Sequence, residues 1–142
     1  MPLASFGSIL TFAEEMEIQD MTFYSQAINN PECSELKSIF EAFIKECKKN
    51  IVIIQRTRRE NVTEMILEPI QDFFRAPFCI DVIDGSAIDS ADAVESTIIM
   101  EHRSVDYYTN AAAKIKALPE VSNALRKLNK KHSARLKKVS DS

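Results

Sequence analysis

Two glutamates occupy matched places in a repeated block of the chain. The block Met16–Ala27 recurs 84 positions later as Met100–Ala111, with Met, Glu, Tyr and Ala identical at matched places. Each copy sets one glutamate, Glu17 or Glu101, within a stripe of apolar residues. A lone buried carboxylate is costly, and two facing each other need a shared cation, shared protons or basic neighbours. The repeat therefore predicts a polar cluster in the core, of the kind that often binds metal ions.

A tyrosine follows each of these glutamates at the same distance. Tyr24 and Tyr108 come seven residues, or about two helical turns, after Glu17 and Glu101. A buried phenol usually finds a hydrogen-bond partner. We expect the two tyrosines to donate to the core carboxylates, although ordinary core tyrosines with other partners would have the same spacing.

Four helical patterns position these residues. With only 2 glycines and 5 prolines, long segments are uninterrupted, and apolar residues recur at steps of three and four. The predicted helices cover about 8–29, 31–59, 89–116 and 119–140, with Ser8 and Asn30 as N-caps and the third helix opening at Asp89. The stripes that carry the glutamates are Leu10, Ala13, Glu17, Met21, Tyr24 and Ile28 in the first helix, and Val94, Ile98, Glu101, Val105, Tyr108, Ala112 and Ile115 in the third.

The lengths of the connections predict the architecture. Only a few residues separate helices one and two, and helices three and four, so each pair should form an antiparallel hairpin. The crossover 60–88 is long enough to run back along a helix of about 38 Å. We expect one all-α domain over 1–142, a four-helix bundle of two hairpins joined by this crossover. Within it, 62–74 suggests a short helix, and the apolar patch 78–83 should cover the bundle or a partner subunit.

The combined pattern is similar to a known family. Glu17 and Tyr24 followed by the stretch Glu35–Glu46, and then Glu101 and Tyr108 followed by the fourth helix, resemble rubrerythrin-type members of the ferritin-like superfamily. The resemblance extends from about Ser8 to Val139 and implies a ferritin-like bundle. In that family, helices two and four each supply a Glu-x-x-His pair, which binds two irons together with the two single glutamates.

The second and fourth helices depart from the family pattern. Carried over to this chain, the places of the glutamate and histidine hold Cys47 and Asn50 in helix two, and His132 and Arg135 in helix four. A rival register would use Glu46 with Lys49 and Asn129 with His132. The first register is preferred because it keeps the apolar residues inward. Neither register gives Glu-x-x-His on either helix.

These departures favour a polar cluster without metal. Arg135 is permanently charged and forks well onto a carboxylate, and His132 can supply further hydrogen bonds. We therefore expect no cofactor and a non-catalytic, structural or binding role for a bundle whose di-iron site has degenerated. The expected cluster comprises Glu17, Tyr24, Cys47, Asn50, Glu101, Tyr108, His132 and Arg135.

The alternative is a remodelled metal site. Glu17, Glu101, His132 and Cys47 form a chemically reasonable set of ligands, in which a thiolate and an imidazole would favour zinc over iron. The chain would then be a metal-binding oxidoreductase or an iron-handling protein. The positive charge of Arg135 argues against this alternative.

Composition limits the partners and the compartment. The net charge of −3 is mild, and the basic run of the last helix has no interleaved aromatic residues, so we expect no nucleic-acid partner. Three cysteines without a C-x-x-C pair predict reduced thiols. No run of 18 apolar residues and no secretory leader is present, which predicts a cytoplasmic protein without a membrane partner. Exposed apolar surface on the bundle or crossover predicts a homodimer.

Overall fold

Four helices make up most of the structure. The computed structural model describes residues 3, 5–60, 70, 72–116 and 118–140. Within these residues the prediction of an all-α chain is confirmed, because there are four α-helices and no β-strand. The helices are α1 (Phe6–Ala27), α2 (Lys37–Glu60), α3 (Ser90–Lys114) and α4 (Pro119–Ser140), with short 3₁₀ segments at Pro31–Leu36 and Ala76–Phe78.

Side-chain hydrogen bonds give the relative directions of the helices. Asn50 bonds Glu17 and Arg58 bonds Thr11, so α1 and α2 are antiparallel, and their contact is extensive. The bonds of Asn129 to Thr109 and of His132 to Glu101 show that α3 and α4 are antiparallel. The bonds of Tyr24 to Glu101 and of Tyr108 to Glu17 show the same for α1 and α3. Therefore α2 and α3 point the same way, and the last residue of α2 and the first residue of α3 lie at opposite ends of the bundle. The chain forms a four-helix bundle of two antiparallel hairpins.

The helix ends differ in detail from the prediction. Helix α1 begins two residues before the predicted N-cap, because Ser5 is the cap and Ser8 closes a capping box with it. The segment after Asn30 starts as a 3₁₀ helix, and Cys33 has non-helical dihedral angles, so α2 begins only at Lys37. Asp89, the predicted first residue of the third helix, is instead its N-cap and accepts from the backbone N–H of Asp92.

The buried faces of α1 and α3 include polar residues that the apolar stripes omit. Asp20 and Ser104, three residues after the two glutamates, are fully buried, whereas Met21 and Val105 are only half-buried. A stripe chosen by hydrophobicity selects the apolar neighbour. The structure instead buries the polar residue one position earlier in each helix, Asp20 in α1 and Ser104 in α3.

The connection between the hairpins covers one side of the bundle. The helix predicted over 62–74 lies largely outside the described residues. Further on, Phe73 stacks on Tyr107 with ring centroids 5.6 Å apart, and Phe78 packs edge-on at 5.2 Å. Arg103 donates to the Phe78 carbonyl at 3.3 Å. The predicted patch 78–83 covers α1 and α3 in part only, since Phe78 is buried while Ile83 is 48% exposed.

None of the described helices combines the length and apolar character needed to cross a lipid bilayer.

A close backbone approach holds the end of this connection against α1. The N–H of Gly85 donates to Gln26 and its carbonyl accepts from Asn30, both at 3.0 Å. A Cβ at this position would lie 2.9 Å from the Phe23 carbonyl oxygen and 3.3 Å from the Ala27 nitrogen. Both neighbours are helix backbone that cannot move independently, so only glycine fits here.

We expect Gly85→Ala to destabilise the fold by roughly 1–3 kcal/mol, because the added methyl overpacks against a rigid helix. Urea denaturation measures the free energy of unfolding. Gly7→Ala is the matched control. Its Cβ would meet only Ser5 Oγ at 3.8 Å, so the control should be neutral or stabilising. Equal stability of Gly85→Ala and the wild type would contradict this reading of the contact.

Candidate functional site at the centre of the bundle

His132 lies between the two repeated glutamates and bonds both. Its Nε2 is 2.6 Å from Glu17 Oε2, and its Nδ1 bonds Glu101 Oε1. All three side chains are completely buried. Ionised carboxylates only accept hydrogen bonds, so both ring nitrogens must carry protons. The geometry therefore describes an imidazolium that bridges two carboxylates.

The pKa values follow from this arrangement. Burial by itself would favour neutral imidazole, but the charges of Glu17 and Glu101 outweigh it and raise the pKa of His132 to about 10. Burial would likewise raise the pKa of Glu17, but the imidazolium outweighs it and lowers that pKa to about 2. The same balance lowers the pKa of Glu101. At neutral pH all three groups are therefore charged.

The two tyrosines connect the halves of the chain crosswise. Tyr24 of the first half donates to Glu101 Oε2 of the second at 2.6 Å. Tyr108 of the second half donates to Glu17 Oε2 of the first at 2.7 Å. Burial, and then the nearby carboxylates, raise both tyrosine pKa values far above their usual value, so the phenols remain neutral donors.

Arg135 supplies the second buried positive charge. Its Nη1 lies 3.4 Å from Glu101 Oε2, and its Nε donates to Glu46 Oε1 at 2.6 Å. The guanidinium also lies over the ring of Phe43, 5.3 Å from the centroid. Arg135 is 2% exposed, whereas the Glu46 side chain is 34% exposed. Glu46, which the rival register would have placed inward, thus contacts the cluster from its solvent side.

Asn50 connects the cluster to the surface of the bundle. Its amide nitrogen donates to Glu17 Oε1 at 3.1 Å. Its amide oxygen accepts from Lys131 Nζ at 3.2 Å, and this pair of bonds sets the orientation of the amide. Asn50 therefore links the ammonium group of Lys131, at the edge of the bundle, to the buried carboxylate of Glu17.

Cys47 is buried in the core beside the cluster. Burial, the dominant cause, raises the pKa of its thiol far above the usual value, so it is a thiol rather than a thiolate at neutral pH. Among the described residues, the metal-ligand atoms that converge within 4.8 Å of one another belong to Glu17, Asp20 and His132. Cys47 is not among them, and a protonated thiol is a poor metal ligand.

Asp20 and Arg103 extend the cluster, and sequence reasoning missed both. Arg103 Nη2 donates to Asp20 Oδ1 at 2.9 Å, and its Nη1 donates to Gln19 at 2.8 Å. Burial, and then the charge of Glu101, outweigh this ion pair and raise the pKa of Asp20 to about 8. Asp20 Oδ2 and Ser104 Oγ have no hydrogen-bond partner among the described residues. Asp20 and Ser104 each follow a repeated glutamate by three residues, and this spacing was the sequence signal for their burial.

The burial pattern distinguishes the two registers. Cys47, Asn50, His132 and Arg135 are all at most 2% exposed. Lys49 is exposed, and Asn129 is half-buried and bonds Thr109 instead. All eight residues of the expected cluster are therefore buried, and hydrogen bonds connect all of them except Cys47.

The residues present do not fit the pair of irons that the family resemblance implies. Two irons in that family need two Glu-x-x-His pairs besides the single glutamates. Here Asn50 and Arg135 occupy the histidine places, and a guanidinium repels a dication. His132, the one imidazole, has both nitrogens directed at carboxylates. Comparisons with protein families, with curated proteins and with solved structures found no match to this chain.

We expect stability to fall with rising pH as His132 loses its proton. The folded-state pKa is about 10 and the unfolded value is about 6.5, so the stabilisation is complete below 6.5 and lost toward 10. The slope should approach about 1.4 kcal/mol per pH unit. Asp20, with a raised pKa of about 8, adds a loss of the same sign only below about pH 8. Above pH 8 the thiol of Cys47, which burial keeps protonated in the folded state, adds a further loss of the same sign. The contribution of His132 is therefore the difference between the slopes of the wild type and a variant without this imidazole.

Urea denaturation at pH 8, 9 and 10 measures this slope. His132→Gln should make it shallower by up to about 1.4 kcal/mol per pH unit. It should also lower stability at pH 7 by roughly 3–5 kcal/mol, because two buried carboxylates lose their cation. His102→Gln is the matched control, since that histidine is exposed. Parallel pH profiles for the wild type and His132→Gln would show that the buried imidazole is neutral.

Proposed function

We propose that this chain is a ferritin-like bundle of the rubrerythrin type with a metal-free centre, and that its role is structural or binding rather than catalytic. The observation that carries the proposal is the imidazole of His132, whose two nitrogens both bond the carboxylates expected to hold metal. The ring therefore stands where a shared cation would be needed, and it supplies that charge itself.

Charge balance supports a centre without metal. Glu17 and Glu101 carry two negative charges, and His132 and Arg135 carry two positive ones. Buried ion pairs are tolerated when each charge is matched and the remaining hydrogen-bonding groups are satisfied. Tyr24, Tyr108 and Asn50 donate further hydrogen bonds to the two carboxylates, and of the guanidinium of Arg135 only Nη2 has no partner among the described residues. A dication added to this set would need His132 to lose its proton and would face the guanidinium.

The burial of the centre also argues against catalysis. Glu17, Glu101 and His132 have no exposed surface. The main grooves in the described part of the chain are lined by other residues, on the outer faces of the helices. None of these grooves opens on the three side chains. This geometry suits a core network that holds four helices in one register.

A second candidate is a mononuclear metal site at Glu17, Asp20 and His132. Their ligand atoms lie within 4.8 Å of one another, and Asp20 Oδ2 has no partner among the described residues. Two carboxylates and one imidazole suit iron or zinc. This candidate, which keeps the iron-handling or oxidoreductase reading, requires His132 to be neutral.

We expect the protein to be purified without bound metal. Protein made without an affinity tag or chelator should contain far less than one metal ion per chain by elemental analysis. Ferrous titration in air should give no oxo-bridge absorbance, and excess zinc should not raise the melting temperature. Stoichiometric metal that disappears in Asp20→Asn would instead support the second candidate.

We infer a homodimer through the connection and α3. Ile83 and Ile99 are 48% and 51% exposed and line the same surface groove. Two large apolar side chains side by side favour burial against a second copy. Sedimentation should then give twice the 16.1 kDa chain mass. Ile83→Glu with Ile99→Glu should give monomers, and Val52→Glu, which changes a distant exposed apolar residue, should not. A monomeric wild type would contradict the inference.

A further inference from the structure

Charge is strongly segregated between the helices. Helices α2 and α4 carry 14 of the 18 lysines and arginines and only four of the 21 acidic residues, a net charge of +10. The rest of the chain is correspondingly acidic, since the total is −3. The small net charge is therefore the sum of a strongly basic pair of helices and an acidic remainder of the chain. Local charge, rather than the total, governs attraction of a charged partner at close range.

The two basic helices lie side by side, on the side of the bundle away from the described contacts of the connection with α1 and α3. Glu46 and Arg135, and Asn50 and Lys131, join α2 to α4. The connection between the hairpins packs on α1 and α3 instead. A groove of about 410 Å³ runs between α2 and α4. Its charged lining consists of three basic side chains, Arg56, Lys127 and Lys131, and two acidic ones at its end, Glu60 and Glu120. We call this surface the α2/α4 groove.

Further basic residues extend the α2/α4 groove along the bundle. Lys49 and Lys45 precede Arg56 by seven and eleven residues, so they lie two and three turns away on the same side of α2. Among the described residues, Lys45, Lys49 and Lys127 form no ion pair, and Arg56 forms only a weak exposed pair with Glu60 at 3.7 Å. The result is a line of cations about 17 Å long.

We propose that the α2/α4 groove binds the phosphate backbone of a double-stranded nucleic acid. A line of cations on two rigid helices matches a linear polyanion better than a single small anion. The cations are mostly lysines, which contact phosphates as point charges without reading bases. Binding is therefore sequence-independent and driven by release of counterions.

The side chains around the groove argue for a duplex over other polyanions. Both aromatic residues of α2, Phe40 and Phe43, are buried, and α4 has none, so neither helix offers an aromatic side chain to stack on unpaired bases. A membrane-surface helix needs an apolar face to insert among lipids. Val52 is the one large apolar side chain of α2 or α4 that is strongly exposed, at 58%. This inference is independent of whether the centre of the bundle binds metal.

Net charge and the lack of interleaved aromatic residues led us to expect no nucleic-acid partner, whereas the separation of charge between the helices favours one. A protein of net charge −3 is repelled by nucleic acid at long range, and the acidic helices and connection supply that repulsion. Within about 10 Å, close to the screening length at 0.1 M salt, the duplex interacts mainly with the basic groove. We therefore expect moderate affinity and a fixed orientation, with the acidic side directed away from the duplex.

Fluorescence anisotropy with a labelled 20-base-pair DNA duplex tests the proposal on the full chain. Five phosphate contacts predict a slope of log affinity against log salt of about −4.5. The charge reversal Lys49→Glu with Lys127→Glu should weaken binding at least tenfold and make the slope less steep by about two. The matched control is Lys37→Glu with Lys116→Glu, which changes net charge equally at exposed positions outside the groove. It should lower affinity less than threefold.

Three results would overturn the proposal. One is no duplex binding at 50 mM salt by wild-type protein whose circular dichroism shows a folded bundle. Another is an equal loss of binding in both charge-reversed pairs, which would indicate only net charge. The third is binding to vesicles containing phosphatidylserine, or to a single-stranded 20-mer, with at least tenfold preference over the duplex. Double-stranded RNA in place of DNA distinguishes the two kinds of duplex, and binding to either supports the proposal.

Discussion

The structure depends on one buried imidazolium. His132 donates from both ring nitrogens to Glu17 and Glu101, and neither carboxylate could remain ionised in the core without it. The arrangement needs all four helices, because α1 and α3 supply the carboxylates, α4 supplies the cations and α2 supplies Asn50. Removing one partner leaves the opposite charge stranded in a low-dielectric interior, so the helices are held in a single register.

The two halves of the chain contribute equivalent core residues from α1 and α3 but different ones from α2 and α4. The tyrosine of each half bonds the glutamate of the other half, so α1 and α3 exchange equivalent bonds. Helices α2 and α4 do not. At matched places, α2 contributes the neutral Cys47 and Asn50, whereas α4 contributes His132 and Arg135. Both compensating charges of the cluster therefore come from one helix, which makes α4 the element on which the core depends most.

Helix α4 also connects the core to the surface. Its inward side carries the two buried cations, and its outward sides carry most of its lysines. Lys131 joins these regions through Asn50, which contacts Glu17. A bundle of this kind keeps its interior electrically balanced while one surface remains strongly positive. The crossing connection increases the contrast, because it adds acidic residues to the opposite side.

The sequence by itself determined the helices, their pairing into hairpins and the two glutamates at the core, because periodicity, caps and connection lengths are local properties. It also predicted which residues of α2 and α4 turn inward, since apolar spacing favours one register. Only the tertiary structure decided the partners. Asp20 and Arg103 are buried although no apolar stripe includes them, and Glu46 reaches Arg135 from the solvent side. Such contacts join residues 31 to 115 positions apart, and hydrogen bonding between distant side chains leaves no periodic signal in the chain.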